Sequence, residues 1–347
     1  MNRAVWIDGL RGTAILLVIV WHTMHYSGAS LRETWLWSAS GQLGSLRMPL
    51  LFLLSGLFLS RALAKPGITF LYGKFANLAW PFFIWALILI PLKFGYDGLF
   101  DVDRWGTSTE LWFMFYLLIY FGVAYFLKAF SFGLLAAASL IVTMTVAPET
   151  LASKFGIYAI FFFSGAAIGP MLLRVRAGVT PARIFCLITL SALHIGIQLL
   201  IPQGARTHLI VEPIPFLLTA VPLVAIATIV GCMFFGTQAC APLQWVGQHS
   251  VVFYLTHMPF LFLVKAITSP LGVSDGWAAF FVLVTSVAGG VFLVRLRKNP
   301  WVDALFLFPL QIVPPRVRAF FCEIMSDPSE RQERFVRRAV RNENALS

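Results

Sequence analysis

Arg11 and His22 bracket an apolar run, Ala14-Ile15-Leu16-Leu17-Val18-Ile19-Val20-Trp21, and both groups are costly to place in lipid. Eleven residues of α-helix turn through roughly 1100°, three turns plus about 20°, so the guanidinium and the imidazole share a face about 16 Å apart along the axis. A guanidinium at one end of such a run is a natural phosphate anchor. Its structural alternative is a membrane-edge charge paired with Asp8, one turn earlier. A neutral imidazole deep in the run can take a proton from a hydroxyl or attack a carbonyl itself; the alternative is a histidine hydrogen-bonded to a neighbouring helix. Far along the chain, Tyr254 and His257 stand at i,i+3 spacing and share a face. Counted from a helix start near Val246, His257 lies about 16 Å in, the depth expected for His22. Two histidines at one depth can meet in one cavity; alternatively Tyr254 and His257 satisfy each other's hydrogen bonds. Arg47 opens another apolar run, where a guanidinium can stabilise a developing negative charge or serve as an interface anchor. His25 has no carboxylate or thiolate nearby, so no metal site is expected. Ser55-Gly56 reads as a close helix contact.

The elements that must position these groups follow from composition. Of 347 residues, 59% are hydrophobic and 12% charged, where a soluble domain carries about 25% charged residues. The expected class is an all-α polytopic membrane protein. Apolar runs of spanning length fall at about 11–27, 44–63, 75–94, 110–128, 131–147, 154–173, 183–201, 214–235, 246–268 and 277–296, which makes about ten transmembrane helices. The net charge of +11 does not point to nucleic acid, because the basic residues sit between apolar runs and in the tail. Arg61, Lys65 and Lys74 follow the second run, Lys128 the fourth, and Arg174, Arg176 and Arg183 the sixth. Asp97, Asp101, Asp103 and Glu110 lie on the opposite side, so both termini are expected to be cytoplasmic. Trp21 and His22 within the first run argue for a membrane helix over a cleaved signal peptide. Thr107-x-x-Glu110 has the form of a capping box for the fourth helix. Residues 1–298 are expected to form the bundle, and 299–347 a cytoplasmic interfacial segment with a basic tail carrying Arg334, Arg337, Arg338 and Arg341.

With these residues in place, a family resemblance is visible. Ile7-Asp8-Gly9-Leu10-Arg11-Gly12-x-Ala14-Ile15-Leu16 followed by His22 resembles the opening of the membrane-bound acyltransferase family 3. Met48-Pro49-Leu50-Leu51-Phe52-Leu53-Leu54-Ser55-Gly56, Pro81-Phe82-Phe83-Ile84-Trp85 and Leu111-Trp112-Phe113 continue the likeness. So does Val246-Gly247-x-x-Ser250-x-x-x-Tyr254-Leu255-x-His257-x-Pro259.

The resemblance implies a ten-helix enzyme of a bacterial inner, or plasma, membrane that takes an acyl group, usually acetyl, from cytoplasmic acyl-coenzyme A. It would place that group on a hydroxyl of an extracytoplasmic glycan or lipid-linked sugar. His22 and His257 would then be catalytic, with Arg11, Asp8, Lys74, Tyr254 and Arg47 binding donor or acceptor. Acyl-coenzyme A is a co-substrate, and no permanently bound cofactor is expected. Relatives usually carry arginine shortly before the proline of the third helix, where this chain has Lys74 and Asn77. They often carry histidine where it has Glu110. The competing class is a transporter or flippase, since intramembrane histidine and arginine also mark solute paths; no inverted repeat supports it. Acceptor and oligomeric state are not legible from these residues.

Overall fold

The computed structural model describes residues 4–310 except 27, 29, 107, 108, 149 and 201–211. Among them every regular element is helical. This follows from the solvent: a chain this apolar must satisfy its backbone groups internally, which a helix does within one segment. Eight helices are long and apolar enough to cross a membrane: α1 Val5–Tyr26, α2 Trp35–Leu63, α3 Gly67–Phe94, α6 Leu151–Leu172, α7 Pro181–Leu200, α8 Pro213–Phe234, α10 Ser250–Thr268 and α11 Asp275–Leu296. The shorter apolar helices α4 Trp112–Phe126 and α5 Phe132–Thr145 lie between α3 and α6. Ala241–Gln248 forms a separate helix, α9, and Pro300–Asp303 a single turn, α12.

Several boundaries differ from those expected. A first stretch of α2, Trp35–Gln42, capped by Thr34 accepting from the Trp37 amide at 3.3 Å, precedes the expected run, whose helix restarts at Gly44 after a break at Leu43. α10 starts at Ser250 instead of 246, since the chain breaks at His249 between α9 and α10. α4 begins at Trp112, with Leu111 as its N-cap and no side-chain cap. Glu110 therefore precedes the helix instead of closing a capping box, and Thr107 lies outside the described residues. The expected basic tail beyond residue 310 also lies outside them.

α1 is the axis of the bundle. It packs on α2, α8, α9, α10 and α11. Glycines set its closest contact: Gly12 faces the Leu243 carbonyl, and Gly247 faces the Asp8 carbonyl and the Gly12 amide, so α1 and α9 meet backbone to backbone. Gly56 on α2 and Gly165 and Gly169 on α6 make a second such crossing. Such contacts are how membrane helices associate when lipid gives apolar side chains no reason to leave it. A Gly247→Val change is expected to destabilise the protein by about 3 kcal/mol or more, the upper end of overpacking costs. Thermal melting in detergent measures it. Gly41→Ala, where a methyl group meets nothing within 4 Å, is the control and should melt like the parent.

Aromatic side chains fill the space between α2, α4 and α6. Phe52 meets Phe113 edge-on at 4.7 Å between ring centres and stacks on Tyr158 at 5.0 Å. Tyr120, fully buried, donates its hydroxyl to the Phe155 carbonyl at 2.6 Å.

In the third span, residues Phe75–Ala79 form a π-helical turn immediately before Pro81. The Trp80 amide bonds back to the Phe75 carbonyl, which leaves the Ala76 carbonyl outside the helical ladder. The Phe308 amide donates to it at 3.1 Å. Two indoles on α3 complete the join, Trp80 donating to the Ala304 carbonyl at 2.7 Å and Trp85 to the Leu305 carbonyl at 2.8 Å. The segment after α11 is thus fastened to α3, with Phe306 buried. In the connection after α3, the Arg104 guanidinium donates to Asp101 at 2.8 Å and holds that exposed carboxyl below the usual carboxylate range.

Candidate active site

α1 and α10 run side by side in the same direction, as two cavities at their opposite ends show. The first, of about 270 Å³, is lined by Arg11 and Ile15 of α1, Ser55 of α2, Lys74 of α3, and Ser250 and Tyr254 of α10, among others. The second, of about 230 Å³, is lined by Tyr26 at the end of α1, Lys265 and Thr268 at the end of α10, and Asp275 at the start of α11, among others. Its mouth is fastened by Asp275, which accepts from the Ser30 hydroxyl at 2.6 Å and amide at 3.1 Å. Gly28 permits this: its φ of 139° disfavours other residues, and a Cβ there would fall on the Asp275 carboxylate.

Between the cavities the rings of His22 and His257 lie 5.1 Å apart, tilted by 42°. His257 is 1% exposed, and its Nδ1 stands 2.6 Å from the Tyr254 carbonyl. A carbonyl oxygen only accepts, so Nδ1 carries the hydrogen, and in the neutral ring Nε2 holds the free lone pair. Among the described residues, His257 Nε2 and His22 Nδ1 are both buried without a hydrogen-bond partner. Buried imidazole nitrogens usually find one. Two left open at the same place form a site able to exchange protons with a third molecule.

A tyrosine flanks each imidazole. The Tyr254 ring is 6.1 Å from that of His257, and the Tyr26 ring is 6.2 Å from that of His22. Tyr254 and His257 do not satisfy each other's side chains, as one sequence reading allowed. The Tyr254 hydroxyl donates to the Glu110 backbone carbonyl, and His257 bonds the Tyr254 backbone. Tyr254 lines the first cavity and Tyr26 the second, so the order from one to the other is Tyr254, His257, His22, Tyr26.

The remaining sequence candidates divide. Arg11 and Lys74 share the first cavity, the Lys74 ammonium lying 3.4 Å from the centre of the Phe121 ring and the Arg11 guanidinium 6.0 Å from that of Phe58. Lys74 opens the π-turn of α3, a local widening that often marks a functional stretch. His22 is not among the cavity's described lining residues; it sits further along α1 against α10. Asp8 is buried where α1 meets α9 and is likewise not among them. Arg47 is no exposed interface anchor: it is 6% exposed, donates to the Ser40 carbonyl at 2.7 Å, and stacks on Trp21 at 4.6 Å, next in sequence to His22. Ser55 Oγ donates to the Leu51 carbonyl at 2.7 Å within its own helix. Among the described residues no group of three His, Cys, Asp or Glu side chains could hold a metal ion.

Lys93, Tyr26 and the buried role of Glu110 were not anticipated. Lys93 donates to Glu110 Oε1 at 2.8 Å and the Tyr26 hydroxyl to the same oxygen at 2.9 Å. The available signal was an acid and a base at the ends of adjacent apolar runs, each costly unless paired.

Residues 4–295 match the family model described as an acyltransferase domain. No curated protein and no solved structure matches the chain.

Proposed function

The chain belongs to acyltransferase family 3 and is an enzyme of that class, and from that premise we propose that it moves an acyl group, acetyl being the expected one, from acyl-coenzyme A to a hydroxyl of a glycan or lipid-linked sugar. The observation that carries this reading is the pair of open imidazole nitrogens lying between two cavities. The first cavity, with Arg11 and Lys74, suits the phosphates of the donor, to which a guanidinium can bond through two parallel N–H groups. Asp8, one turn before Arg11, helps to set the end of α1 from which that side chain projects. The second cavity receives the hydroxyl. With both termini cytoplasmic, the first opens to the cytoplasm and the second to the far side of a bacterial inner membrane.

In the reaction the acceptor oxygen attacks the thioester carbonyl, a C–O bond forms, and the C–S bond breaks. His257 is the better-prepared base, because the Tyr254 carbonyl holds its Nδ1–H and leaves Nε2 to take the hydroxyl proton. That role resembles a triad in which a carboxylate orients the histidine. The proton then passes to the departing sulfur through the imidazole pair, with His22 on the α1 side. Direct transfer is favoured over an acyl-histidine, since two imidazoles side by side supply a base and a relay without a covalent step.

The test is thiol release by purified protein in detergent with acetyl-coenzyme A, followed by mass analysis of the acceptor and the protein. Coenzyme A release with an acetylated hydroxyl and no retained acetyl group is expected. No thiol release, with or without acceptor, would overturn the donor; acetyl retained on His22 would overturn direct transfer.

A further inference from the structure

Glu110 bonds both tyrosines that flank the histidine pair. Its Oε1 is taken by the Tyr26 hydroxyl at 2.9 Å and the Lys93 ammonium at 2.8 Å, and its backbone carbonyl by the Tyr254 hydroxyl. The residue is 8% exposed, and Oε2, fully buried, has no partner among the described residues. A buried carboxylate oxygen without a donor is unfavourable unless a bound group supplies one. Tyr26, fixed by this same carboxylate, lines the second cavity and stands 6.2 Å from the His22 ring. Glu110 itself is not among the described lining residues of either cavity; it meets the second through the Tyr26 hydroxyl, which donates to Oε1.

We propose that Glu110 is an acceptor-positioning residue: Oε2 accepts a hydrogen bond from one hydroxyl of the acceptor while a neighbouring hydroxyl is acylated beside His22 and His257. The inference rests on the acyl-transfer reading and narrows its acceptor to a molecule with vicinal hydroxyls, as on a sugar ring. Lys93 lies against the other carboxylate oxygen, Oε1, at 2.8 Å and leaves Oε2 to the acceptor. Tyr26 and Tyr254 tie the same residue to both helices that carry the histidines, so the docked hydroxyl and the imidazoles share one frame. A site built to bond a hydroxyl discriminates strongly against an acceptor that lacks it.

The experiment uses purified full-length protein with acetyl-coenzyme A and two probe acceptors, methyl α-D-glucopyranoside and cyclohexanol. The parent is expected to favour the glucoside by about tenfold or more in kcat/KM. Glu110→Gln should raise KM for the glucoside by about tenfold, leave KM for acetyl-coenzyme A unchanged, and bring the ratio between the probes towards one. Tyr26→Phe, which keeps the ring and removes one bond to the carboxylate, should lower the same ratio by a smaller factor. A purely structural Glu110 would lower kcat/KM for both probes by one common factor, and that result overturns the inference. Equal use of the two probes by the parent overturns it as well and leaves acyl transfer standing. Release of no thiol by the parent under any condition overturns the acyl-transfer reading itself.

Discussion

His257→Ala is expected to lower kcat for acyl transfer by about 10²–10⁴-fold, the usual range for losing a positioned general base. KM for acyl-coenzyme A should stay within about twofold, because His257 is not among the described residues lining the cavity that holds Arg11 and Lys74. His22→Ala should fall in the same range. The double variant should be little worse than either single change, since the two rings, 5.1 Å apart, act as one unit. Steady-state kinetics on detergent-purified variants that elute like the parent measure all three. If either single variant keeps kcat within tenfold, that imidazole is a packing residue.

The second large effect is expected at the other end of α1. Arg11→Ala should raise KM for acyl-coenzyme A by about 10- to 100-fold with kcat changed far less, because hydrogen bonds to charged groups contribute about 1.5–3 kcal/mol each. Arg11→Lys keeps the charge but loses the paired N–H geometry, so it should fall between the two. Lys74 shares the cavity and retains some hold on the donor, which is why the loss is bounded. Titration of donor binding at equilibrium would decide it; an unchanged affinity in Arg11→Lys and Arg11→Ala removes the phosphate from this cavity.

Much of the bundle was legible because lipid imposes a simple rule, a long apolar run for each crossing. Helix positions followed from that rule, while ends set by a Thr34 cap or by the break at His249 did not, since local hydrogen bonds decide them. Helical rise counted from Val246 put His257 level with His22; the helix starts four residues later, at Ser250, and the structure nevertheless brings the two rings together. The surroundings of Glu110 were not. A carboxylate before an apolar helix looks like a cap, and only the tertiary approach of Tyr26 and Lys93 gives it another role. Arg47 misled for a related reason. Its partners are a Ser40 carbonyl seven residues earlier and a Trp21 ring on another helix, and neither has a sequence signature.

The join between the Ala76 carbonyl and the Phe308 amide links Lys74 to residues that follow the stretch matched by the family model. On the proposed reading, changes in the segment after residue 295 would alter the cavity that holds Lys74 while leaving the imidazole pair untouched. A chain ending at residue 295 would keep both imidazoles and lose the bonds from residues 304–308 that brace the π-turn beside Lys74.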